Sequence, residues 1–179
     1  MKLLKILLVG FLILVATLLL AALILPSSYQ VERSVRIDRP KDQVFSYLLL
    51  LKNQDHFSVW MAADPNVRKS YSGEDGTVGF ISTWKSDKDE VGHGEQEIKA
   101  IKPGERIEYE LRFLKPFKSV SPAYLLTEQI SAEQTRVTWG FQGEMPYPLN
   151  LTLLLMDIEQ MIGNDLQQGL ENLKVLLEQ

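Results

Sequence analysis

Three hydrophobic patterns follow one another along the chain. From Ile6 to Leu25 a run of 20 residues carries no charge, and apolar side chains fall on every helical face. A helix of that length spans about 30 Å, the thickness of a bilayer core. Pro26 stops the run and Ser27-Ser28 begin a polar linker. From Tyr29 the pattern changes to alternation. Tyr29, Val31, Val35 and Ile37 share one face, which predicts a strand. Asp38 and Pro40 then act as start signals, and Val44, Phe45, Leu48 and Leu49 form a helical stripe. "NQDHFSVWMAADP" reads as a short irregular or helical piece carrying His56, Phe57 and Trp60.

Six strands are predicted next. They are "NVRKSYS", "TVGFISTWK", "EVGHGEQEIKAIK", "RIEYELRF", "AYLLTEQIS" and "TRVTWGFQG". Turn chemistry at Gly73–Gly76, "SDKD" and "KPGE" separates the first four. In "RIEYELRF" the inner set is Ile107, Tyr109, Leu111 and Phe113; in the last strand it is Val137, Trp139 and Phe141. The third pattern is a helical stripe from about Leu149 to Leu177, with Gly163 and Gly169 inside it. A glycine within a helix costs about 1 kcal/mol against Ala and often marks a close approach. An antiparallel sheet with one wet face must cover the other, and only this helix is large enough to do so. The expected architecture is α+β: a curved antiparallel sheet wrapped around a long C-terminal helix, preceded by one transmembrane helix.

The segments "VERSVRIDRPKDQVFSYL", "YSGEDGTVGFISTWKSD", "VGHGEQEI", "TRVTWGFQG" and "IGNDLQQGLENLK" carry a family likeness. In this order they resemble the START-like SRPBCC superfamily, in its polyketide cyclase/dehydrase branch, over about Tyr29 to Glu178. The resemblance implies a helix-grip fold with a hydrophobic cavity between sheet and helix. Members bind lipids, sterols, polyketides or other apolar molecules; a minority are cyclases or dehydratases, and others bind chaperones. The expected domains are a transmembrane anchor with a short linker (1–28) and a START-like SRPBCC domain (29–179).

Charge refines the picture. Lys2 and Lys5 precede the apolar run and no basic residue follows until Arg33, so the N-terminus is expected in the cytoplasm and the domain outside it. In a Gram-negative cell that is the periplasm. The run exceeds the roughly 7–15 apolar residues of a signal peptide, and no small-x-small site follows it. Apart from those two lysines, 17 basic and 23 acidic residues leave a net charge of −6, which excludes a non-specific nucleic-acid binder. With no cysteine and two histidines, thiolate chemistry is excluded and no metal site or cofactor is expected.

Candidate chemistry is sparse. His93 lies between glycines with Glu95 two residues on, a spacing open to acid–base work. The polar row His93, Glu95, Glu97 and Lys99 instead places them on the solvent face, with Gly92 and Gly94 on the opposite one. His56 beside Asp55 is a second possible pair. The apolar lining of a cavity is expected from Trp60, Phe80, Trp84, Phe113, Trp139 and Phe141. Tyr109 and Ser82 are the expected polar contacts. Met156, Gln160 and Asn164, spaced by four, fit either the sheet's open end or a solvent stripe, and the first two are included in the candidate lining. The expected function is binding of a hydrophobic small molecule or lipid without catalysis. The alternatives are a cyclase- or dehydratase-like enzyme and a chaperone-like interaction module.

Overall fold

The computed structural model describes residues 2–179. Helix α1 (Lys2–Ile24) is apolar on all sides and long enough to cross a bilayer. Strand β1 (Ser28–Ile37) leads to helix α2 (Lys41–Leu49), which buries Val44, Phe45 and Leu48. A 3-10 turn (Leu51–His56) and the short α3 (Val59–Ala63) follow. Strands β2 (Arg68–Ser72), β3 (Ile81–Lys85), β4 (His93–Lys102), β5 (Arg106–Lys115), β6 (Ser119–Ser131) and β7 (Gln134–Glu144) come next. A second 3-10 segment (Leu149–Leu154) precedes helix α4 (Ile158–Glu178).

The seven strands form one sheet in the order β1-β7-β6-β5-β4-β3-β2, and every neighbouring pair is antiparallel. β2 to β7 follow one another as a meander. β1 closes the far edge against β7, with Ser28 opposite Glu144 and Ile37 opposite Thr135. The architecture is the α+β helix-grip: α4 buries Leu166, Leu170 and Leu173 against the inner face, and α2 covers one end.

The C-terminal helix is shorter than the periodicity predicts. Asp157 caps α4, its carboxylate accepting the Gln160 backbone N–H at 2.9 Å. The Asp157-x-x-Gln160 spacing is close to a capping box. The apolar run before it masks this signal. Leu154 and Leu155, expected inside the helix, therefore precede it and are exposed.

The helix glycines admit side chains from the sheet. A Cβ on Gly163 would lie 2.1 Å from the Arg33 guanidinium, which reaches across to Glu159 at 2.6 Å. A Cβ on Gly169 would lie 2.8 Å from the Trp139 ring.

The glycines of "VGHGE" do different work from one another. Gly92 lies outside β4, in the left-handed region at φ +61°, and a Cβ there would lie 2.2 Å from the Lys115 carbonyl oxygen. Gly94 is within the strand, and its missing side chain leaves room for the Trp84 ring, 2.5 Å from where a Cβ would be. The Arg112 carbonyl oxygen, 2.7 Å away, closes the other side. The Gly94→Ala variant is therefore expected to lose about 1–3 kcal/mol of stability by overpacking. Denaturant midpoints of the two proteins check this, and equal midpoints contradict it.

Candidate ligand cavity

The inner face of the sheet is divided along the strands. In one half, Phe80, Ile98, Tyr109, Leu125 and Val137 are packed in the core. In the other half the same strands carry Ser82, Trp84, Gln96, Leu111, Phe113, Ala123, Trp139 and Phe141, and the helix does not fill the space above them. A cavity of about 400 Å³ results. Ile162 and Leu166 of α4 cover it. Leu51, Gln54, Asp55, Ser58, Trp60 and Met61 form a side wall, with Lys69 from β2 beside them. Asp89, Glu90, Lys115 and Pro116 are also in its lining and are exposed.

Aromatic rings fix the shape. Trp139 meets Phe57 edge-on at 5.6 Å and Trp60 at 6.0 Å between ring centroids. Trp84 meets Phe113 edge-on at 5.8 Å, and its indole N–H donates to the Val91 carbonyl at 3.0 Å. That bond occupies the indole donor, so Trp84 presents an apolar surface. The polar groups are few. Gln96 donates to Gln54 at 3.0 Å, and Asp55 forms an ion pair with Lys69. The Ser58 and Ser82 hydroxyls line the space. An apolar chamber with a few convergent polar groups is the usual form of a small-molecule site, and about 400 Å³ lies within their common range of roughly 300–1,000 Å³.

Six of the ten residues expected at a cavity lie in its wall: Trp60, Ser82, Trp84, Phe113, Trp139 and Phe141. Four do not. Phe80 and Tyr109 point inward but belong to the packed half. Phe80 stacks on Tyr71, and burial raises the Tyr109 phenol's pKa while leaving its hydroxyl without a hydrogen-bond partner among the described residues. Met156 and Gln160 are exposed, as is Asn164, because α4 begins at Ile158 and turns Ile162 and Leu166 toward the sheet. The lining also holds Asp55, considered from the sequence only as the partner of His56, together with Gln96 and Lys69, which were not among the expected lining residues. Alternation along β4 turns Gln96 inward, whereas Asp55 and Lys69 meet only through packing between distant segments.

Neither histidine joins the cavity lining. His56 is exposed, its Nδ1 lying 3.0 Å from the Tyr47 hydroxyl, while the neighbouring Asp55 faces Lys69. His93 pairs across the sheet with Lys85 and Lys115 in register. Glu95 is engaged by Arg112, which also binds Glu97 at 2.6 Å and Glu110 at 2.5 Å. No group of three potential metal ligands occurs among the described residues.

The Arg112 cluster sits on the outer face. Hydrogen bonds from Arg112 first, then Lys99, hold the Glu97 carboxyl below its ordinary value of 4.5. A carboxylate depressed by folding stabilises the fold above its unfolded value, and that contribution is lost as pH falls through the folded value. Glu97→Gln should therefore be less stable than the wild type at pH 7, and the gap should close as the pH drops well below 4.5. Thermal midpoints of both proteins across that range test this; a gap independent of pH contradicts it.

Solved structures share the fold at low identity. Truncated norcoclaurine synthase from Thalictrum flavum aligns with a TM-score of 0.61 and 8% identity, over 84% of this chain and 93% of that one. The Aha1 dimer from Colwellia psychrerythraea gives a TM-score of 0.56 and 14% identity, over 84% and 96%. Ara h 8.0201 gives 0.54 and 11%, over 84% and 97%. No curated protein sequence matches the chain significantly. A family profile described as polyketide cyclase / dehydrase and lipid transport matches residues 28–178, nearly the whole chain beyond α1, and the protein belongs to that SRPBCC family.

Proposed function

We propose that the protein is a membrane-anchored binding domain that takes one hydrophobic small molecule or lipid chain into the cavity between sheet and α4. The observation that carries this is the open half of the inner face: about 400 Å³ lined by three tryptophans and Phe113, Phe141, Leu111 and Leu166. Burying apolar surface is worth about 25 cal/mol per Å², so a chain or ring system filling this space gains affinity without a charged partner. The family's description includes lipid transport, which agrees with this reading.

The anchor is α1, with residues 1–28 as anchor and linker and 29–179 as the binding domain. The Asn150 side-chain amide donates to the Ala22 carbonyl at 2.7 Å and the Leu25 carbonyl at 3.2 Å. Ala22 and Asn150 are both buried. A helix end capped by a buried side chain of the domain supports a resident helix over a removed one. Lys2 and Lys5 support a cytoplasmic N-terminus and a domain on the other side, the periplasm in a Gram-negative cell.

Native mass spectrometry of the full chain released from nanodiscs tests the binding reading. The expected spectrum shows one non-covalent apolar adduct per chain; a bare chain under conditions that preserve the fold refutes it. One observation favours a second reading. Asp55 and Lys69 form an ion pair in the cavity wall, which suits a cyclase- or dehydratase-like lyase. The two readings separate on Lys69→Met. Pure binding leaves the bound molecule the same, whereas catalysis replaces product by unconverted substrate, heavier by one water for a dehydration and separated by chromatography of the extracted ligand for an isomerising ring closure.

A further inference from the structure

We propose that the end of the domain nearest α1 is a second membrane contact, seated on the bilayer that α1 crosses, so that the cavity opens toward lipid. This rests on α1 spanning the membrane. The strand register places the relevant parts together. Ser28 at the start of β1 is opposite Glu144 at the end of β7, and Met145 donates its backbone N–H to the Ser27 carbonyl. In the same antiparallel sheet, Phe113 is opposite Ser119, so the tip of the β5–β6 hairpin lies at this end too. That tip reads Lys115-Pro116-Phe117-Lys118, and Phe117 is 82% exposed. Lys115 and Pro116 also line the cavity, which places one of its exposed rims here.

The segment after β7 completes the face. Asn150 ties the Leu149–Leu154 turn to the last turn of α1, at the depth where that helix leaves the bilayer. From this segment Leu154 and Leu155 project outward, 65% and 88% exposed, and Met161 follows on the first turns of α4. Exposed apolar clusters of this kind mark interaction surfaces. The tether to α1 identifies the occupant as the host bilayer. An aromatic ring flanked by lysines suits the headgroup boundary, where rings bury and ammonium groups reach water. A ligand then passes between bilayer and cavity without crossing water.

The absence of cysteine makes a site-directed test clean. Single cysteines carrying a nitroxide are placed at Phe117→Cys and Leu155→Cys in the full chain, reconstituted in phosphatidylcholine nanodiscs. Two reference sites are Ile13→Cys within α1 and Val175→Cys near the far end of α4, where Lys174 bonds the Arg36 carbonyl at the other end of β1. The expected result is a collision ratio favouring dissolved oxygen over a water-soluble nickel relaxant at 13, 117 and 155, and the reverse at 175. A lipid-embedded site 13 with water-exposed 117 and 155 overturns this proposal alone. A water-exposed site 13 overturns the anchor and the proposal together. Protection of 117 and 155 from both relaxants overturns it in favour of a protein partner.

Discussion

Ala123→Phe is expected to lower affinity for an apolar ligand by at least roughly tenfold while leaving the fold intact. Ala123 lies on the inner face of β6, between Tyr109 of β5 and Phe141 of β7 in register. It belongs to the cavity floor, on the strand next to Trp139 and Phe141 of β7, and its partner Tyr109 marks where the floor meets the packed half. A phenyl ring occupies on the order of 100 Å³, so here it takes up about a quarter of the roughly 400 Å³ that a ligand would fill. Denying burial to two methylenes already costs about 1.6 kcal/mol, and tenfold in affinity is about 1.4 kcal/mol. The chain's three tryptophans, Trp60, Trp84 and Trp139, all line the cavity, so energy transfer from them to a fluorescent fatty acid reads occupancy. Unchanged affinity in the variant would place the ligand elsewhere.

Trp139→Ala carries the largest expected loss of stability. The indole is 4% exposed, stands edge-on to Phe57 and Trp60, and occupies the notch left by Gly169. Large-to-small changes of this kind cost about 3–5 kcal/mol. For a domain of this size that corresponds to a fall in Tm of roughly 6–20 °C. The notch gives a sharper form of the test. Gly169→Ala is costly while the ring stands 2.8 Å from the added Cβ, and that cost should shrink once the ring is gone. A double-mutant cycle by thermal unfolding measures the coupling. Additive effects would mean that the ring and the glycine do not meet.

The fold was legible because its signals are local. Alternation marks β5 and β7, the Pro40 start marks α2, and the apolar stripe marks α4. The cavity was half legible. Alternation tells which residues of β5 face inward, but Ile107 and Tyr109 share that face with Leu111 and Phe113. Which pair stays uncovered depends on where α4 and α2 cross the sheet, and no single strand encodes that. The pairing of Asp55 with Lys69, in place of the His56 pairing that adjacency suggests, was hidden for the same reason: the two meet through the fold, 14 positions apart. The glycines of "VGHGE" did mark a close approach, but the occupant beneath Gly94 is the Trp84 ring, which forms part of the cavity wall.

A cavity that takes an apolar chain from the membrane brings that chain into contact with Trp60, Trp84 and Trp139. The intrinsic fluorescence of the full chain in nanodiscs doped with a fatty acid brominated in mid-chain reads that contact. Bromine quenches only at close range, and α1 contains no tryptophan. The expected result is saturable quenching of the tryptophan emission, which in Ala123→Phe needs at least roughly tenfold more of the brominated chain. Emission unchanged by the brominated chain, with the protein folded and inserted, would contradict it.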